Sequence, residues 1–443
     1  MVQTKKAPAA FPSGLETLLP EMARVRVRCE APRIEDVGRA VEEECRRAGV
    51  VERAQPGQVI GIGCGSRGIS RIVPAVAVIV HALQVRGARP FLFPAMGSHG
   101  AATAEGQRRV LEEYGLTEAA VGCPIKSTLE TTTLGALEDG TPIHCDRHAA
   151  EADGIVLVNR IKPHTNFRGP VESGIVKMMC IGMGNVQGAA ALHRHGFGAF
   201  DRLLPRTARF MLDRLPFLFG LGLVENACHE TALLELIPAE RLLEREEILL
   251  GRARELMGRL LFDRLDVLVI DEIGKNISGS GFDPNVSGRN NRFIPWSGPE
   301  INKIVLLDLT EESHGNACGM GLADIITAGL YGKVDLEATY TNAVTAAYLD
   351  SASIPVVMNS DREAIRLAVR TVVPGREPDA CRLVRIKNTN ELTNILVSKS
   401  LWGEVERHPD MELVRPDEPW RFDGSGHLVQ PLFQASDPGS GAG

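Results

Sequence analysis

GQVIGIGCGSRGISRIVPAVAVIVHALQVRGARPFLFPAMG, residues 57–97, carries the first decision about the fold. Its opening run, 57–63, is apolar and β-branched between glycines and reads as a buried strand. Residues 69–87 read as a helix with Pro74 in the first turn, where a missing N–H does no harm. RPFLFPAMG reads as a second strand. TAEGQRRVLEEYG follows as a helix capped by Thr103, and ADGIVLVNRI, 152–161, is a third β-branched strand. Strands alternating with helices in this way imply an α/β fold with a mostly parallel, doubly wound sheet. Loops that follow its strands collect at the carboxyl edge, where ligands bind in such folds.

Further along, ERLLEREEILLGRARELMGRLLF, 240–262, reads as a long amphipathic helix, followed by the strand LDVLVIDEI. The pattern then restarts with KIVLLDLT, a helix near LADIITAGLYG, another near TNAVTAAYLD, then SIPVVMNS, a helix to Val373 and CRLVRIKNT. The expected organisation is a first domain over 1–265 and a second over 266–412. A segment over 413–433 is expected to pack back on the first domain, and the polar, glycine-rich tail 434–443 to be disordered.

The chain has 443 residues, 44% hydrophobic and 24% charged, with a net charge of −7. Length suggests two or three domains of roughly 150 residues. The charge gives no basic field for a nucleic-acid backbone, so a nucleic-acid partner is not expected. The nine cysteines stand singly with no CxxC pair, which argues against a disulfide framework or a thiolate zinc site and suits a reducing compartment. The longest apolar run, Val73 to Val85, is short of a membrane span. A soluble, cytoplasmic protein is expected.

Gly63, Gly65 and Gly68 form a GxGxxG arrangement between strand and helix, a turn whose N–H groups can meet a phosphate. Gly65, Ser66 and Gly68 are therefore candidate cofactor contacts, and a tight turn without ligand is the competing reading. No Asp or Glu lies between Arg67 and Glu105, so the carboxylate that holds a dinucleotide ribose is missing. Arg67 has the right chemistry to grip a substrate carboxylate with two parallel hydrogen bonds. His99, in PAMGSHGAAT, and His164, in NRIKPHTNFRG, each follow a strand of the same sheet. An imidazole takes or gives a proton near neutral pH, and two of them facing a stereocentre suit a two-sided racemase. Lys177 sits among apolar residues in VKMMC and is expected to be buried, and so either paired or used. His193 and His195, in LHRHG, are candidate metal ligands. In the second half, Lys275 and Arg289, on a glycine- and serine-rich loop, are candidates to neutralise an anionic substrate. TEESHGNACGMG, with Glu312 and His314, is a further candidate loop, in which Ser313 or Asn316 has the alternative task of capping a helix.

GSRGI, PAMGSHG, NRIKPHTNF, ESGIVKMM, the histidine of LHRHG and TEESHGNA, in this order and with the Arg67–His99–His164 intervals, resemble the nickel-pincer-nucleotide-dependent lactate racemase family over most of the chain. The resemblance implies a Rossmann-like N-terminal domain and a second α/β domain with the active site in the cleft. It implies His99 and His164 as the acid/base pair, Lys177 as the cofactor's thioamide tether, His193 as the nickel ligand and Arg67 as the carboxylate anchor. The implied activity is racemisation or epimerisation of a 2-hydroxy acid by hydride transfer to the nickel-pincer nucleotide. The chain departs from lactate racemases proper in Gly-Cys-Gly-Ser before Arg67 and in a longer His164–Lys177 interval, which points to a bulkier or more polar hydroxy acid than lactate. The alternatives are a nicotinamide-dependent 2-hydroxy acid dehydrogenase, a non-catalytic nucleotide- or carboxylate-binding protein and, more distantly, a zinc hydrolase.

Overall fold

The computed structural model describes residues 18–29, 32–66, 68–290, 298–346, 348–373, 377–429 and 432. The chain divides into two compact units, residues 31–257 and residues 1–30 with 258–443. The boundary expected at 265/266 thus lies at 257/258, where the helix Leu242–Leu256 ends.

In the unit 31–257 the five-stranded sheet has the order Arg89–Pro94, Val59–Cys64, Gly154–Arg160, Phe217–Glu225, Thr231–Pro238. The first four strands run parallel and the last antiparallel. The three strands expected from sequence are all present; Phe217–Glu225 and Thr231–Pro238 were not expected. Side chains alternate across the sheet. Ile155 and Leu157 enter one core with Phe91, Phe93 and the helix Leu242–Leu256. Val156 and Val158 enter the other, with Ile60, Ile62 and the helix Ile72–Val85. Helices therefore cover both faces, as the unbroken apolar runs of the strands require.

The second unit carries an eight-stranded sheet in the order Val356–Met358, Ile325–Thr327, Glu300–Leu309, Arg264–Ile273, Leu383–Ile386, Asn394–Ser398, Met22–Val27, Met411–Arg415. The first five strands are parallel and the last three are joined antiparallel. The N-terminal strand thus belongs to the C-terminal unit, because its pairing partners lie there. The segment after residue 413 also packs on this unit rather than on the first. Glu418 N–H donates to Met22 O at 2.8 Å, Trp420 Nε1 to Pro20 O at 3.0 Å and Leu428 N to Asp361 Oδ2 at 2.7 Å. The expected disordered tail lies outside the described residues. The helix expected near LADIITAGLYG is instead the strand Ile325–Thr327 and the helix Ala328–Lys333.

Two further expectations are corrected or bounded. Cys29 and Cys228 are each disulfide-bonded, while Cys45, Cys64, Cys123, Cys145, Cys180, Cys318 and Cys381 are buried thiols; cysteine spacing alone did not distinguish the two kinds. Among the described residues no single helix is long and apolar enough to cross a membrane.

The glycines of GIG are packing residues. A Cβ at Gly61 would stand 3.1 Å from Phe91 Cζ, and one at Gly63 would stand 2.6 Å from Leu157 Cδ2 and 2.8 Å from Phe93 Cζ. By contrast, a Cβ on Gly251, in the helix Leu242–Leu256, meets nothing within 4 Å. The same chemical change therefore has opposite signs at the two sites. Gly63→Ala is expected to destabilise by about 1–3 kcal/mol through overpacking, and Gly251→Ala to stabilise by roughly 0.5–1 kcal/mol through helix propensity. Urea denaturation of the two variants checks this, and equal midpoints would refute the packing account.

Candidate active site

Three loops leave the carboxyl ends of adjacent parallel strands, and each meets the segment that carries Lys177. The loop after Val59–Cys64 contains Gly65, Ser66 and Gly68; Arg67 lies outside the described residues. A Cβ at Gly65 would stand 3.3 Å from both Met178 Sδ and Asn159 Oδ1, and one at Gly68 3.3 Å from the Tyr114 ring. Tyr114 Oη donates to Ser66 O at 3.2 Å. Close packing inside the unit is a sufficient reason for both glycines.

The loop after Arg89–Pro94 turns through Gly97, in the left-handed region at φ 61°, whose N–H donates to Gly182 O at 3.0 Å. Gln107, fully buried, donates to Gly97 O at 2.8 Å. The helix Ala104–Glu113 that closes this loop is capped by Thr103, as expected, with Oγ1 accepting the Gly106 N–H at 3.0 Å. His99 is exposed, and its Nδ1 lies 2.7 Å from Met96 O. A carbonyl can only accept, so Nδ1 carries the proton and the lone pair of the neutral ring is on Nε2.

His164, in the loop after Gly154–Arg160, has the opposite tautomer. The Asn166 N–H donates to its Nδ1 at 3.0 Å, so the neutral ring bears its proton on Nε2. His164 is 8% exposed, and its ring packs 4.4 Å from that of Phe167. Burial first, then the positive charge of Lys177, hold its pKa well below the ordinary value. The loop is built around Glu172, which is fully buried. Its carboxylate accepts His164 N–H at 2.6 Å and Gly169 N–H at 3.3 Å. Arg168 and Arg254 donate to it at 3.2 and 2.7 Å, and Arg168 also holds His164 O at 2.9 Å.

Lys177 ends a short α-turn, Ile175–Lys177, which continues as the π-turn Met178–Gly182. Single π-turns inside helices recur at functional sites. The helix then bends by 105° into Asn185–His193. Lys177 is half-buried, not buried as its apolar neighbours suggested, because the turn holds Val176 and Met178 inward and the lysine at the margin. His193 has its pKa lowered to about 4, by burial and then by Lys177. His164, Lys177 and His193 thus act on one another electrostatically. Between the two histidines lies Phe197, its ring 5.7 Å from that of His164 and 5.5 Å from that of His193. His195 is separated from this group, with Nε2 2.8 Å from Thr141 Oγ1.

Two residues named in the second unit are engaged locally. Lys275 donates through Nζ to Gly279 O at 2.7 Å. The Arg289 guanidinium binds Asp324 Oδ2 at 3.0 Å and the carbonyls of Ile301, Asn302 and Leu322, so it anchors its own loop rather than projecting from it. Ser313 caps no helix; its Oγ accepts the Lys275 N–H at 2.9 Å. Glu172 and Phe197 were not singled out from sequence. A carboxylate in the otherwise apolar GPVESG was the available signal for Glu172. Among the described residues no three of His, Cys, Asp and Glu gather into a metal site.

Residues 59–199, the stretch holding His99, His164, Lys177 and His193, match the lactate racemase N-terminal domain family. Among solved structures, the chain is similar to the lactate racemase apoprotein of Thermoanaerobacterium thermosaccharolyticum. The identity is 11% and the TM-score 0.51, over 87% of this chain and 96% of that one; at this identity the likeness is one of fold. No curated protein sequence matches the chain.

Glu172→Gln keeps the shape and removes the charge that balances two partly exposed guanidiniums. A loss of about 2 kcal/mol is expected, below the figure for a fully buried pair because solvent screens both arginines. The His164 ¹⁵N pattern should change at the same time, since the loop that supplies the Asn166 N–H loosens. A variant with parent stability and parent ring shifts would remove Glu172 from its place at the centre of the loop.

Proposed function

We propose that this lactate racemase-family homologue inverts the configuration of a 2-hydroxy acid, with His99 and His164 as its two acid/base groups. The observation that carries the reading is their opposite protonation. His99 has its lone pair on Nε2 and His164 its proton on Nε2, so one ring can accept a hydrogen bond from a substrate hydroxyl while the other can donate one to a substrate oxygen. A neutral imidazole accepts a proton and the imidazolium it becomes gives one back; burial and the Lys177 charge disfavour that charged form at His164. Arg67 is the proposed anchor of the substrate carboxylate.

The residues present fit a nickel-pincer nucleotide. The cluster offers one amine, Lys177, for the thioamide tether and one imidazole, His193, kept neutral and therefore able to ligate. Among the described residues no further group of His, Cys, Asp or Glu gathers into a metal site, which suits a metal that brings its remaining ligands, as this cofactor does. When bound, the cofactor supplies a reversible hydride acceptor for the substrate C2. The chain's part is to hold the carboxylate, to move the hydroxyl proton through Nε2 of either histidine, and to keep water from the planar keto acid with the Phe167, Phe197 and Phe200 rings.

The test is co-expression with the proteins that make the cofactor, followed by nickel analysis and polarimetry on a panel of 2-hydroxy acids that begins with lactate. Near-stoichiometric nickel in the parent and its loss in His193→Ala are expected. His99→Ala and His164→Ala should keep nickel and lose roughly 10²–10⁴-fold in interconversion rate. A parent that holds no nickel despite verified cofactor supply, and that interconverts no hydroxy acid, overturns the proposal.

A further inference from the structure

The helix Leu242–Leu256 reaches the candidate site at two points. Its buried stripe is Leu242, Glu246, Leu249, Leu250 and Ala253, a helical period in which one position is a carboxyl. Glu246 is fully buried, and its Oε2 accepts the Val176 N–H at 2.9 Å. That N–H belongs to the first turn of the Lys177 segment, where helical donors have no partner within the helix. The approach is close: a Cβ on Gly174 would lie 2.2 Å from Glu246 Oε1. On the other side of the chain, Asn159 Nδ2 holds Gly174 O at 2.7 Å. Eight residues on, roughly 12 Å along the axis, Arg254 binds Glu172 Oε1 at 2.7 Å and so supports the His164 loop.

We propose that Glu246 is a positioning residue for Lys177, and that the helix bearing Glu246 and Arg254 sets the lysine turn and the His164 loop against one support. The importance given to Lys177 rests on the racemase reading; the contact and its test do not. The amide Glu246→Gln keeps an oxygen to accept the Val176 N–H, whereas Glu246→Leu fills the space and leaves that N–H without an acceptor. Burial raises the Glu246 carboxyl to about 8. Cys180 is the neighbouring titratable group that feels it, its thiol raised first by burial and then by Glu246.

The sign of the pH effect follows. A carboxyl whose folded value lies above its unfolded value of about 4.5 favours folding below that pH, and the contribution is lost as pH rises toward 8. Gln does not titrate. The stability of Glu246→Gln relative to the parent should therefore climb between pH 5 and pH 8.5, most steeply in the middle of that interval and levelling off above pH 8. A carboxyl that is solvated rather than buried against Val176 gives a constant difference.

The experiment uses the apoprotein. Lys177 is labelled with a limiting amine-reactive reagent and quantified by peptide mass spectrometry against the other lysines of the same sample. As the turn opens in Glu246→Leu, the relative rate at Lys177 should rise by about threefold or more, and Glu246→Gln should return it to the parent value. A folded Glu246→Leu that labels as the parent does overturns the proposal. If that variant does not fold, a flat pH profile of the Gln-minus-parent thermal midpoint overturns it instead. Neither readout involves nickel or turnover, so failure here and failure of the racemase reading remain distinguishable.

Discussion

The carboxylate of Glu172 is the constraint on which the candidate site turns. A charge removed from water carries a desolvation penalty of several kcal/mol, and only well-made hydrogen bonds and counter-charges offset it. Glu172 has both: two backbone N–H groups from its own loop and the guanidiniums of Arg168 and Arg254. Meeting that requirement folds residues 164–172 back on themselves and fixes the His164 backbone at both its N–H and its carbonyl. The ring then has one packing surface, Phe167, and one hydrogen-bond donor, the Asn166 N–H. A histidine with its backbone and one ring nitrogen fixed in this way has little freedom to be anything but the Nε2–H tautomer. The chemistry proposed for it is thus set by a carboxylate that touches no substrate.

Electrostatics within the cluster work in the same direction as burial. For His164 and His193 desolvation is the largest influence and the Lys177 charge the next, and both disfavour imidazolium. Neutrality is what a metal ligand requires, since it needs a lone pair, and it is the form in which an acid/base histidine takes its first proton. The half-exposed position of Lys177 is consistent with this arrangement. A lysine at the margin keeps its charge hydrated while its field still reaches the buried rings, where the lower dielectric strengthens its effect.

The elements that sequence made legible are those whose signal is local. The alternating runs at 57–63, 89–97 and 152–161 mark strands by themselves, and a histidine just past two of them is placed at the sheet edge by topology alone. What stayed hidden depends on partners distant in sequence. MARVRV at 22–27 is an ordinary strand, but nothing near it says that it pairs with Asn394–Ser398 and Met411–Arg415. FLFGLGLVE, 217–225, has glycines at alternate positions, which lowers its strand signal. There the missing side chains make room for Ile175 and Ile161, each within 2.8 Å of where a Cβ would be. Glu246 was legible in principle, as the charged member of an apolar helical stripe, but the acidic run around it reads as a solvated face. Local composition also misjudged Lys177, since apolar neighbours on both sides say nothing about the direction of the side chain between them.

The glycine-rich turn shows why such a motif cannot be read without its surroundings. Gly63, Gly65 and Gly68 satisfy a dinucleotide pattern in spacing, yet each faces a specific neighbour: Leu157 and Phe93, then Met178 and Asn159, then Tyr114. Protein atoms stand close to where a Cβ would be at each position, so packing alone is a reason for each glycine. The missing acidic residue after the second strand points the same way. The turn also lets the end of the strand Val59–Cys64 lie against Met178, next to Lys177. Packing against the lysine turn is therefore a reason for glycine at Gly65 that its place in a dinucleotide pattern does not disclose.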